Sequence, residues 1–342
     1  MMTKQNDKEA PKFLLAVNAR FRKAEKSTGV QNWAKSAIAQ LKCYEQVEVK
    51  EIIPSAFFSS GIRGHVWEQF VLPWRARNFD ALLSPCNFGP VLYRSQIICI
   101  HDALIFSHPL YFRRSYRLVC KVIHTVILRS EIKVVTVSLR SKQELEKVAR
   151  KGKIIYVAGM GLYNQPRQQQ IIPSKRPTFL FVGGQIERKN VKFLLAMWPS
   201  IFADTGALLK VTTSHSSRTL RTGVNSNVLG VEYINNPSDA ALSNLYDSVH
   251  ALLWPSLGEG FGMPLLEVMS HGKSFIATDS GAATELLVGR SKILPLNDEL
   301  WRREIISIAT IPNQRDNEQI NKAKNYTWEL VAEKILFLIR IP

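Results

Sequence analysis

Cysteine is scarce in this 342-residue chain and follows no recognisable pattern. The four cysteines are Cys43, Cys86, Cys99 and Cys120, and they show neither the close spacing of metal ligands nor the density of a disulfide framework. We therefore expect buried free thiols in a reducing compartment. The sequence also has no run of His, Cys and Asp with metal-ligand spacing, which argues against a structural metal.

Long apolar runs are also missing. No run approaches the roughly 18 residues that a membrane-spanning helix needs. The first twelve residues are polar and charged, without the apolar stretch that is typical of a signal peptide. We therefore expect a cytoplasmic protein, one that can still bind the inner face of the plasma membrane as a peripheral protein.

Acidic residues are few in the first half of the chain. The whole chain carries a formal net charge of +17. Residues 1–170 contain 27 Lys and Arg against 12 Asp and Glu, a balance of +15, whereas residues 171–342 contain 18 against 16, a balance of +2. Such an excess indicates an anionic partner or surface. A basic nucleic-acid-binding protein is one candidate, although the sequence has no recognisable nucleic-acid-binding motif.

Strand-like apolar segments alternate with helix-like segments along the whole chain, and 46% of the residues are hydrophobic. The pattern predicts strands near residues 13–18, 47–53, 80–84, 96–101, 133–138 and 154–157, and again near 178–183, 207–213, 250–254 and 274–278. This alternation predicts an α/β protein with two doubly wound, Rossmann-like domains facing across a cleft. Ligands of such domains bind at the carboxyl ends of the strands.

The most informative segment runs from Glu259 to Glu267. An apolar strand that ends at Pro255 precedes it, and a Gly-Phe-Gly turn and Pro264 lie between the two carboxylates. Pro264 suits the first turn of a helix, and we expect Glu267 in that turn too. A strand, a glycine loop and a helix N-terminus bind phosphate well, because free N–H groups and the helix dipole point outward there. Carboxylates accept hydrogen bonds without donating, so this pair suits the hydroxyls of a sugar and a ribose.

A second glycine turn, Gly183-Gly184, follows the strand predicted at 178–183 and precedes Arg188 and Lys189. Arg offers a planar fork of donors and Lys offers a point charge, and together they suit a diphosphate group. Cations that are already in place stabilise a departing diphosphate more than its ground state. The segment therefore predicts a site for a diphosphate leaving group.

These two segments resemble motifs of the retaining, nucleotide-sugar-dependent glycosyltransferases of the GT-B fold, family four (glycosyl transferases group 1). Further segments resemble the family, from about residue 13 to about residue 335: Val17-Asn18-Ala19-Arg20, Ser27-Thr28-Gly29-Val30-Gln31, Ile100-His101-Asp102 and Val137-Ser138. One segment departs from it, since the family's Asn-Gly-Val-Asp is replaced by Ala158-Gly159-Met160-Gly161-Leu162.

The resemblance implies roles for individual residues. His101 and Glu259 would act at the reacting centre, with Glu259 either contacting donor-sugar hydroxyls or serving as the nucleophile of a double displacement. The implied donor-binding residues are Gly29, Gly184, Arg188, Lys189, Gly260, Phe261, Gly262 and Glu267. Because the sequence has no Asp-x-Asp triplet, Arg188 and Lys189 would replace a divalent ion. We expect no metal and no cofactor, the nucleotide-sugar being a co-substrate.

The resemblance also implies an order of domains. An acceptor-side domain would span residues 1–164, a linker 165–177 and a nucleotide-sugar-binding domain 178–325. A terminal helix at 326–342 would cross back to the first domain.

The implied activity is transfer of a hexose, mannose as the first choice, from a nucleotide-diphosphate sugar. The acceptor would be a saccharide or a lipid-linked saccharide in bacterial lipopolysaccharide or exopolysaccharide biosynthesis. A catalytically silent GT-B-like binding protein is the alternative, and the intact set Arg188, Lys189, Glu259 and Glu267 counts against it.

A helix predicted near residues 111–130 carries a basic stripe, because Arg113, Arg117 and Lys121 are spaced by four. Its predicted apolar side consists of Val119, Val122, Ile123, Val126 and Ile127. Two interpretations remain open. The stripe is either the solvated face of a helix that covers the core, or a surface that docks on anionic lipid headgroups or a lipid-diphosphate acceptor.

Overall fold

A computed structural model describes residues 12–23, 28–59, 61–163, 176–183, 186–213 and 227–340. These residues form two six-stranded sheets, in which every strand runs parallel to its neighbours. Helices connect most of the consecutive strands, as is usual for parallel pairing. The predicted fold class, two doubly wound α/β domains, is confirmed.

The first sheet has the strand order β2-β1-β3-β4-β5-β6, so its direction of winding reverses between β1 and β3. Its strands are β1 (Phe13–Asn18), β2 (Val47–Ile52), β3 (Ala81–Ser84), β4 (Gln96–Cys99), β5 (Lys133–Thr136) and β6 (Ile155–Val157). Its helices are α1 (Gly29–Leu41), α2 (Gly61–Val66), α3 (Leu72–Ala76), α4 (Leu104–Ser107), α5 (Arg114–Arg129) and α6 (Leu139–Glu146). A π-helical stretch, Trp67–Val71, joins α2 to α3 without a break.

The second sheet has the order β12-β11-β10-β7-β8-β9, and its winding reverses between β7 and β10. Its strands are β7 (Thr178–Phe181), β8 (Leu208–Thr213), β9 (Val231–Asn235), β10 (Ala251–Trp254), β11 (Ser274–Ala277) and β12 (Lys292–Ile293). Its helices are α7 (Val191–Thr205), α8 (Asp239–Ser248), α9 (Met263–Ser270), α10 (Ala283–Leu286), α11 (Asp298–Ala309) and α12 (Asn317–Ala323). The central strands β7, β10 and β11 are buried along their whole length, because helices cover both faces of the sheet.

The last helix, α13 (Trp328–Arg340), packs against α1 of the first sheet. The indole of Trp328 donates a hydrogen bond to the carbonyl oxygen of Leu162 at 3.0 Å and lies edge-on to Trp33. A Cβ on Gly161 would lie 2.6 Å from the backbone nitrogen of Trp328, so only glycine allows this approach. The chain end therefore lies against the segment that leaves the first sheet.

Helix α5 corrects the predicted apolar side. Its core-facing residues are Cys120, His124, Ile127 and Leu128, whereas Val119, Val122 and Val126 are 39%, 55% and 42% exposed. The helix carries apolar residues around most of its circumference, so spacing alone did not identify the side that faces the sheet. The prediction of buried cysteines holds for Cys99 and Cys120, whereas Cys86 is half-buried and Cys43 is exposed. None of the described helices is both long and apolar enough to span a membrane.

Candidate functional site

The candidate site lies at the carboxyl end of the second sheet, where the winding reverses between β7 and β10. Arg188 and Lys189 lie in a short turn after β7, and Glu259 lies in the loop after β10. Two loops that leave a parallel sheet on opposite sides of a switch point form a crevice between them. This topology brings together residues that are about 70 positions apart in the sequence.

One oxygen of Glu259 joins the two cations. Oε1 lies 2.7 Å from Nη1 of Arg188, 2.7 Å from Nζ of Lys189 and 2.6 Å from Oγ of Ser256, which donates to it. Nη1 of Arg188 also donates to the carbonyl oxygen of Gly258 at 2.9 Å. Oε2 of Glu259 has no such partner in the described part of the chain. The carboxylate therefore keeps one acceptor oxygen for another hydrogen-bond donor.

The charges of this cluster depend on each other. Burial alone would raise the pKa of Glu259, but Lys189 and Arg188 outweigh that effect and lower its pKa to about 2. Burial lowers the pKa of Lys189 to about 8, against the attraction of Glu259. The ammonium of Lys189 lies 3.9 Å from the centroid of the Trp254 ring, which gives it a favourable cation–π contact. At neutral pH the cluster has two cations and one carboxylate, so a net positive charge faces the crevice.

The glycine loop packs directly against the first domain. Ser138 and Ser141 donate hydrogen bonds to the carbonyl oxygen of Gly260 at 2.6 and 3.0 Å. A Cβ at Gly260 would lie 2.6 Å from the carbonyl oxygen of His101, so a side chain would push the two domains apart. Among the described residues, none accepts a hydrogen bond from the N–H groups of Gly260, Phe261 or Gly262. These three donors therefore have no acceptor in the described part of the chain.

Glu267 lies on α9, one turn later in the helix than the sequence predicted. The helix begins at Met263 with Pro264 in its first turn, as predicted, but Glu267 is the fifth helical residue and belongs to the second turn. The phenol of Tyr246 donates to its Oε2 at 2.6 Å. Removal from water raises the pKa of this half-buried carboxyl group.

Glu267 and Gly29 line the same cleft, which has a volume of about 460 Å³ and also contains Tyr163, Asp239 and Tyr246. Gly29 is the first residue of α1, and a Cβ there would meet no atom within 4 Å. Thr28 fixes this helix start. Its hydroxyl accepts a hydrogen bond from the N–H of Gln31, and the side-chain oxygen of Gln31 accepts one from the N–H of Thr28. Residues from both domains thus face one cleft.

His101 is buried rather than open to the cleft. Its Nε2 lies 2.8 Å from the carbonyl oxygen of Pro85, and its ring lies edge-on to Trp33 at 5.1 Å. Burial lowers the pKa of His101 to about 4, despite the hydrogen bond to Pro85. The imidazole is therefore neutral at physiological pH, with Nε2–H as the donor to Pro85 and Nδ1 as its remaining acceptor.

A second cleft, of about 650 Å³, lies in the first domain, at the switch point between β1 and β3. Glu68 lies in its wall and is 2% exposed. Asn18 donates to Oε1 of Glu68 at 2.6 Å, and Arg20 Nη1 and His65 Nδ1 lie 3.3 and 3.6 Å from Oε2. The sequence motifs did not assign a role to this cluster, because its members come from two segments about 45 positions apart in the sequence.

Gly184 lies outside the described residues. The structure brings together the other predicted donor-side residues around the two neighbouring loops and the 460 Å³ cleft. It adds Ser256, Tyr246 and Trp254, which sequence spacing did not single out. Within the described ranges, no group of three His, Cys, Asp or Glu residues could hold a metal ion.

Comparison with known proteins identifies the family. Residues 176–308, which contain the Arg188, Lys189 and Glu259 cluster, match the family model described as Glycosyl transferases group 1. Over 303 residues the chain is 25% identical to the O-antigen chain mannosyltransferase RfbU of Salmonella typhimurium, covering 83% of this chain and 80% of RfbU. Residues 176–308 therefore form a group 1 glycosyltransferase domain, and most of the chain is similar to a glycosyltransferase.

Solved structures give this chain the GT-B fold. WaaG, a glycosyltransferase involved in lipopolysaccharide biosynthesis, superimposes with a TM-score of 0.65 at 15% identity, covering 96% of this chain and 100% of WaaG. HepE of Anabaena, solved in complex with UDP-glucose, gives a TM-score of 0.66 at 13% identity over 95% of this chain and 98% of HepE. The resemblance drawn from the motifs is thereby confirmed for family, fold and enzyme class.

Proposed function

We propose that this protein is a retaining hexosyltransferase that moves a sugar from a nucleotide-diphosphate donor to a saccharide or lipid-linked acceptor. The observation that carries the proposal is the convergence of Arg188 and Lys189 on one oxygen of Glu259 at the β7/β10 switch point. The name of RfbU supports lipopolysaccharide or exopolysaccharide biosynthesis as the setting and mannose as the first choice of sugar. UDP- and dTDP-sugars come next, since HepE was solved with UDP-glucose.

The proposed donor spans the crevice of the second domain. The diphosphate would lie on Arg188, Lys189 and the free N–H groups of the glycine loop. Tyr246 donates to Oε2 of Glu267, so Oε1 of Glu267 would accept hydrogen bonds from the ribose hydroxyls. Gly29 approaches from the first domain, and its open surroundings leave room for phosphate oxygens. We propose the same contact for Gly184.

Glu259 suits a binding role better than a nucleophilic one. Three donors hold its Oε1, and a pKa of about 2 marks a carboxylate that is strongly stabilised as an anion, which weakens it as a nucleophile. Its free Oε2 can instead accept from a donor-sugar hydroxyl. We therefore propose same-face displacement. The bond from the anomeric carbon to the diphosphate breaks, the acceptor oxygen bonds to the same face, and the acceptor proton passes to the departing phosphate oxygen.

His101 contributes as a neutral group in this proposal. Its Nε2–H is committed to Pro85, and with a pKa of about 4 it carries no proton to donate from Nδ1 at neutral pH. Its carbonyl oxygen, which accepts from Ser141 at 3.1 Å, lies directly against Gly260. We propose that His101 holds the glycine loop and the reacting sugar in place rather than transferring a proton.

The acceptor would bind in the 650 Å³ cleft of the first domain. Glu68 and Asn18 offer hydrogen-bonding groups suited to sugar hydroxyls, and Arg20 and Lys23 add positive charge at its edge. We propose residues 1–164 as the acceptor-side domain, 178–325 as the donor-binding domain, 165–177 as the linker and 326–342 as the returning helix. Two domains with separate clefts would bring the two substrates together at their boundary.

The excess charge of the first domain would attract the protein to an anionic membrane surface. Arg113, Arg117 and Lys121, at the start and along the side of α5, are the proposed contacts. Each cation near such a surface contributes about 1 kcal/mol, so neutralising all three should weaken attraction by roughly 3 kcal/mol. No metal or cofactor takes part in this proposal.

The test of the activity is a two-step screen with purified protein. Thermal stability is first measured with GDP-mannose, UDP-glucose, a dTDP-hexose and an ADP-hexose, because a ligand that binds the native state raises the melting temperature. The best donor is then offered to membrane-extracted saccharide lipids, and the anomeric configuration of the product is read by NMR. An α-linked product from an α-linked donor supports the proposal. Inversion of configuration, or no stabilisation by any nucleotide sugar, would refute it.

A further inference from the structure

An apolar ridge runs along the outside of the first domain. Ile62, Val66, Phe70 and Trp74 follow each other at intervals of four and are 83%, 44%, 73% and 63% exposed. They lie on the continuous helical segment formed by α2, the π-helical stretch and α3. A plain α-helix would rotate such a series round its axis, but the wider π turn offsets that drift and keeps the four side chains on one side.

The exposed side of α5 lies next to this ridge. Leu118, with 68% exposure, joins the exposed Val119, Val122 and Val126. The ring of Phe88 links the two elements, since it lies 5.1 Å from the ring of His65 on α2 and 6.3 Å from that of Tyr116 on α5.

Strand register shows that both elements cover the same face of the sheet. Leu82 on β3 packs with α3 and pairs with Gln96 on β4. Ile98 lies two positions after Gln96 on β4 and packs with α5. Side chains two apart on a strand share a face. The ridge and the exposed side of α5 therefore belong to one helical layer.

The exposed charged side chains on these two elements have a single sign. Arg63, Arg75 and Arg77 accompany the ridge, and the only carboxylate between residues 61 and 77, Glu68, is buried. Helix α5 contains Arg114, Arg117, Lys121 and Arg129 and no acidic residue. Arg77 lies 4.4 Å from the Trp74 ring centroid, and Arg63 lies 4.4 Å from that of Phe57. Arginine beside an aromatic side chain suits the boundary between acyl chains and headgroups.

We propose that this layer inserts into the interface of an anionic lipid bilayer, with the ridge residues among the acyl chains and the arginines among the headgroup phosphates. The uniformly positive surroundings favour anionic lipid over a second copy of this chain, which would place like charges opposite each other. The inference extends the proposed electrostatic contact of α5 to a second element and to a force that salt does not screen.

The position of the layer gives it a consequence for the substrate. Glu68, on the inner side of the ridge helix, and Tyr116, on α5, line the 650 Å³ acceptor cleft. Docking through this layer brings the cleft to the headgroup region. If the acceptor binds there, as the proposed function holds, it carries a lipid anchor that remains in the same bilayer.

Trp74 provides a direct probe. All seven tryptophans lie in the described residues, and Trp74 is the one that is exposed, the others being buried or half-buried. We expect vesicles of mixed anionic and zwitterionic lipid to blue-shift its fluorescence, and lipids brominated on their acyl chains to quench it. Trp74→Phe should lose most of this quenching. Binding without quenching would place the ridge outside the bilayer and overturn the proposal.

The hydrophobic contribution to membrane binding is tested by co-sedimentation with the same vesicles. Ile62→Ser combined with Phe70→Ser should weaken binding roughly 100-fold, about tenfold for each inserted side chain. Binding by the wild type should persist at 1 M salt, where charges are screened beyond about 3 Å. The matched control is Phe337→Ser, since Phe337 on α13 is 63% exposed on the other side of the fold and should not matter. Complete loss of wild-type binding at 1 M salt, or equal effects of the two variants, would contradict insertion.

Two further readouts separate this inference from its alternatives. A dimer in sedimentation that the Ile62→Ser, Phe70→Ser variant abolishes would mean that the ridge binds a second copy instead. Donor-induced thermal stabilisation should be unchanged in that variant, because the ridge lies away from Arg188 and Lys189. Loss of vesicle binding with intact donor binding therefore supports the inference, whereas absent donor binding in the wild type defeats only the proposed activity.

Discussion

The two clefts of this enzyme are built in opposite ways. In the second domain, Arg188 and Lys189 are held on a buried carboxylate by contacts of 2.7 Å, and the half of the chain that contains them is close to neutral. In the first domain, the cluster around Glu68 is looser, since Arg20 Nη1 and His65 Nδ1 lie 3.3 and 3.6 Å from Oε2, and residues 1–170, which contain it, carry a balance of +15. The first arrangement suits a small, invariant diphosphate, and the second suits a large acceptor at a charged surface.

This difference predicts that substitutions in the two clefts separate donor effects from acceptor effects. A single substitution in a buried, paired charge cluster has a large effect on binding, since removal of one partner leaves the other charges uncompensated. Substitution of an exposed charge has a small effect on binding, and this effect becomes smaller as the salt concentration rises.

Arg188→Ala should lower kcat/KM for the donor by roughly 100- to 1,000-fold, the scale for losing one group that stabilises developing charge. Steady-state kinetics with varied donor measures this. Arg302→Ala is the matched control, because Arg302 pairs with Asp204 on the surface of the same domain, away from the crevice. Normal turnover in a folded Arg188→Ala protein would remove Arg188 from the donor site.

Donor binding should weaken as the pH rises above about 8, by at most tenfold per pH unit. Lys189 has a pKa lowered to about 8 in the free enzyme, so it is a cation below that pH and neutral above it. A bound diphosphate favours the charged form, so the fall in kcat should begin at higher pH than the fall in kcat/KM. Lys189→Met should bind the donor weakly and lose this pH dependence. A wild-type profile that stays flat to pH 10 would contradict the assignment.

Glu68→Gln should raise the KM for the acceptor about tenfold, the effect of weakening one charged hydrogen bond, with little change in donor affinity. Glutamine keeps the size of the side chain and can still accept from Asn18. Kinetics with each substrate varied in turn distinguishes the two clefts. A larger effect on the donor than on the acceptor would show that the clefts do not divide the substrates as proposed.

Excess chelator should leave the rate unchanged, which is the smallest effect in this series. In the proposed mechanism, Arg188 and Lys189 would supply the positive charge that a divalent ion would otherwise supply. Transfer is measured in EDTA and again after added Mg²⁺ or Mn²⁺. A reversible loss that the metal restores would assign the diphosphate contact to an ion rather than to these side chains.

The sequence predicted the strand, loop and helix around Glu259 well because their signals are local. Glu259, the glycine loop and Pro264 lie within a few residues of each other, and the strand before them is a continuous apolar run. The ten strands predicted from such runs all occur, whereas β9 and the two-residue β12 were missed. β9, with residues such as Glu232 and Asn235 along it, alternates too weakly to be recognised.

The first domain was harder to predict because its features depend on tertiary contacts. The helical segment at residues 61–76 was missed, since Pro73 interrupts the pattern and the apolar residues lie on both its inner and its outer side. The Glu68 cluster needs Asn18, Arg20 and His65 to meet through the fold. Helix α5 shows the same limit, because its sequence contains two apolar sides and only the sheet selects between them.

The central claim is that the donor binds to the Arg188 and Lys189 cluster without a metal, at a site separate from the acceptor cleft. Calorimetric titration of the preferred nucleotide sugar in EDTA tests it most directly, with the wild type, Arg188→Ala and Glu68→Gln side by side. The account predicts one site per chain in the wild type, nearly the same affinity in Glu68→Gln, and a loss of roughly 10- to 100-fold in Arg188→Ala, the scale of one charged hydrogen bond to the ground-state diphosphate. Equal donor binding by Arg188→Ala, or loss of donor binding in Glu68→Gln, would contradict it.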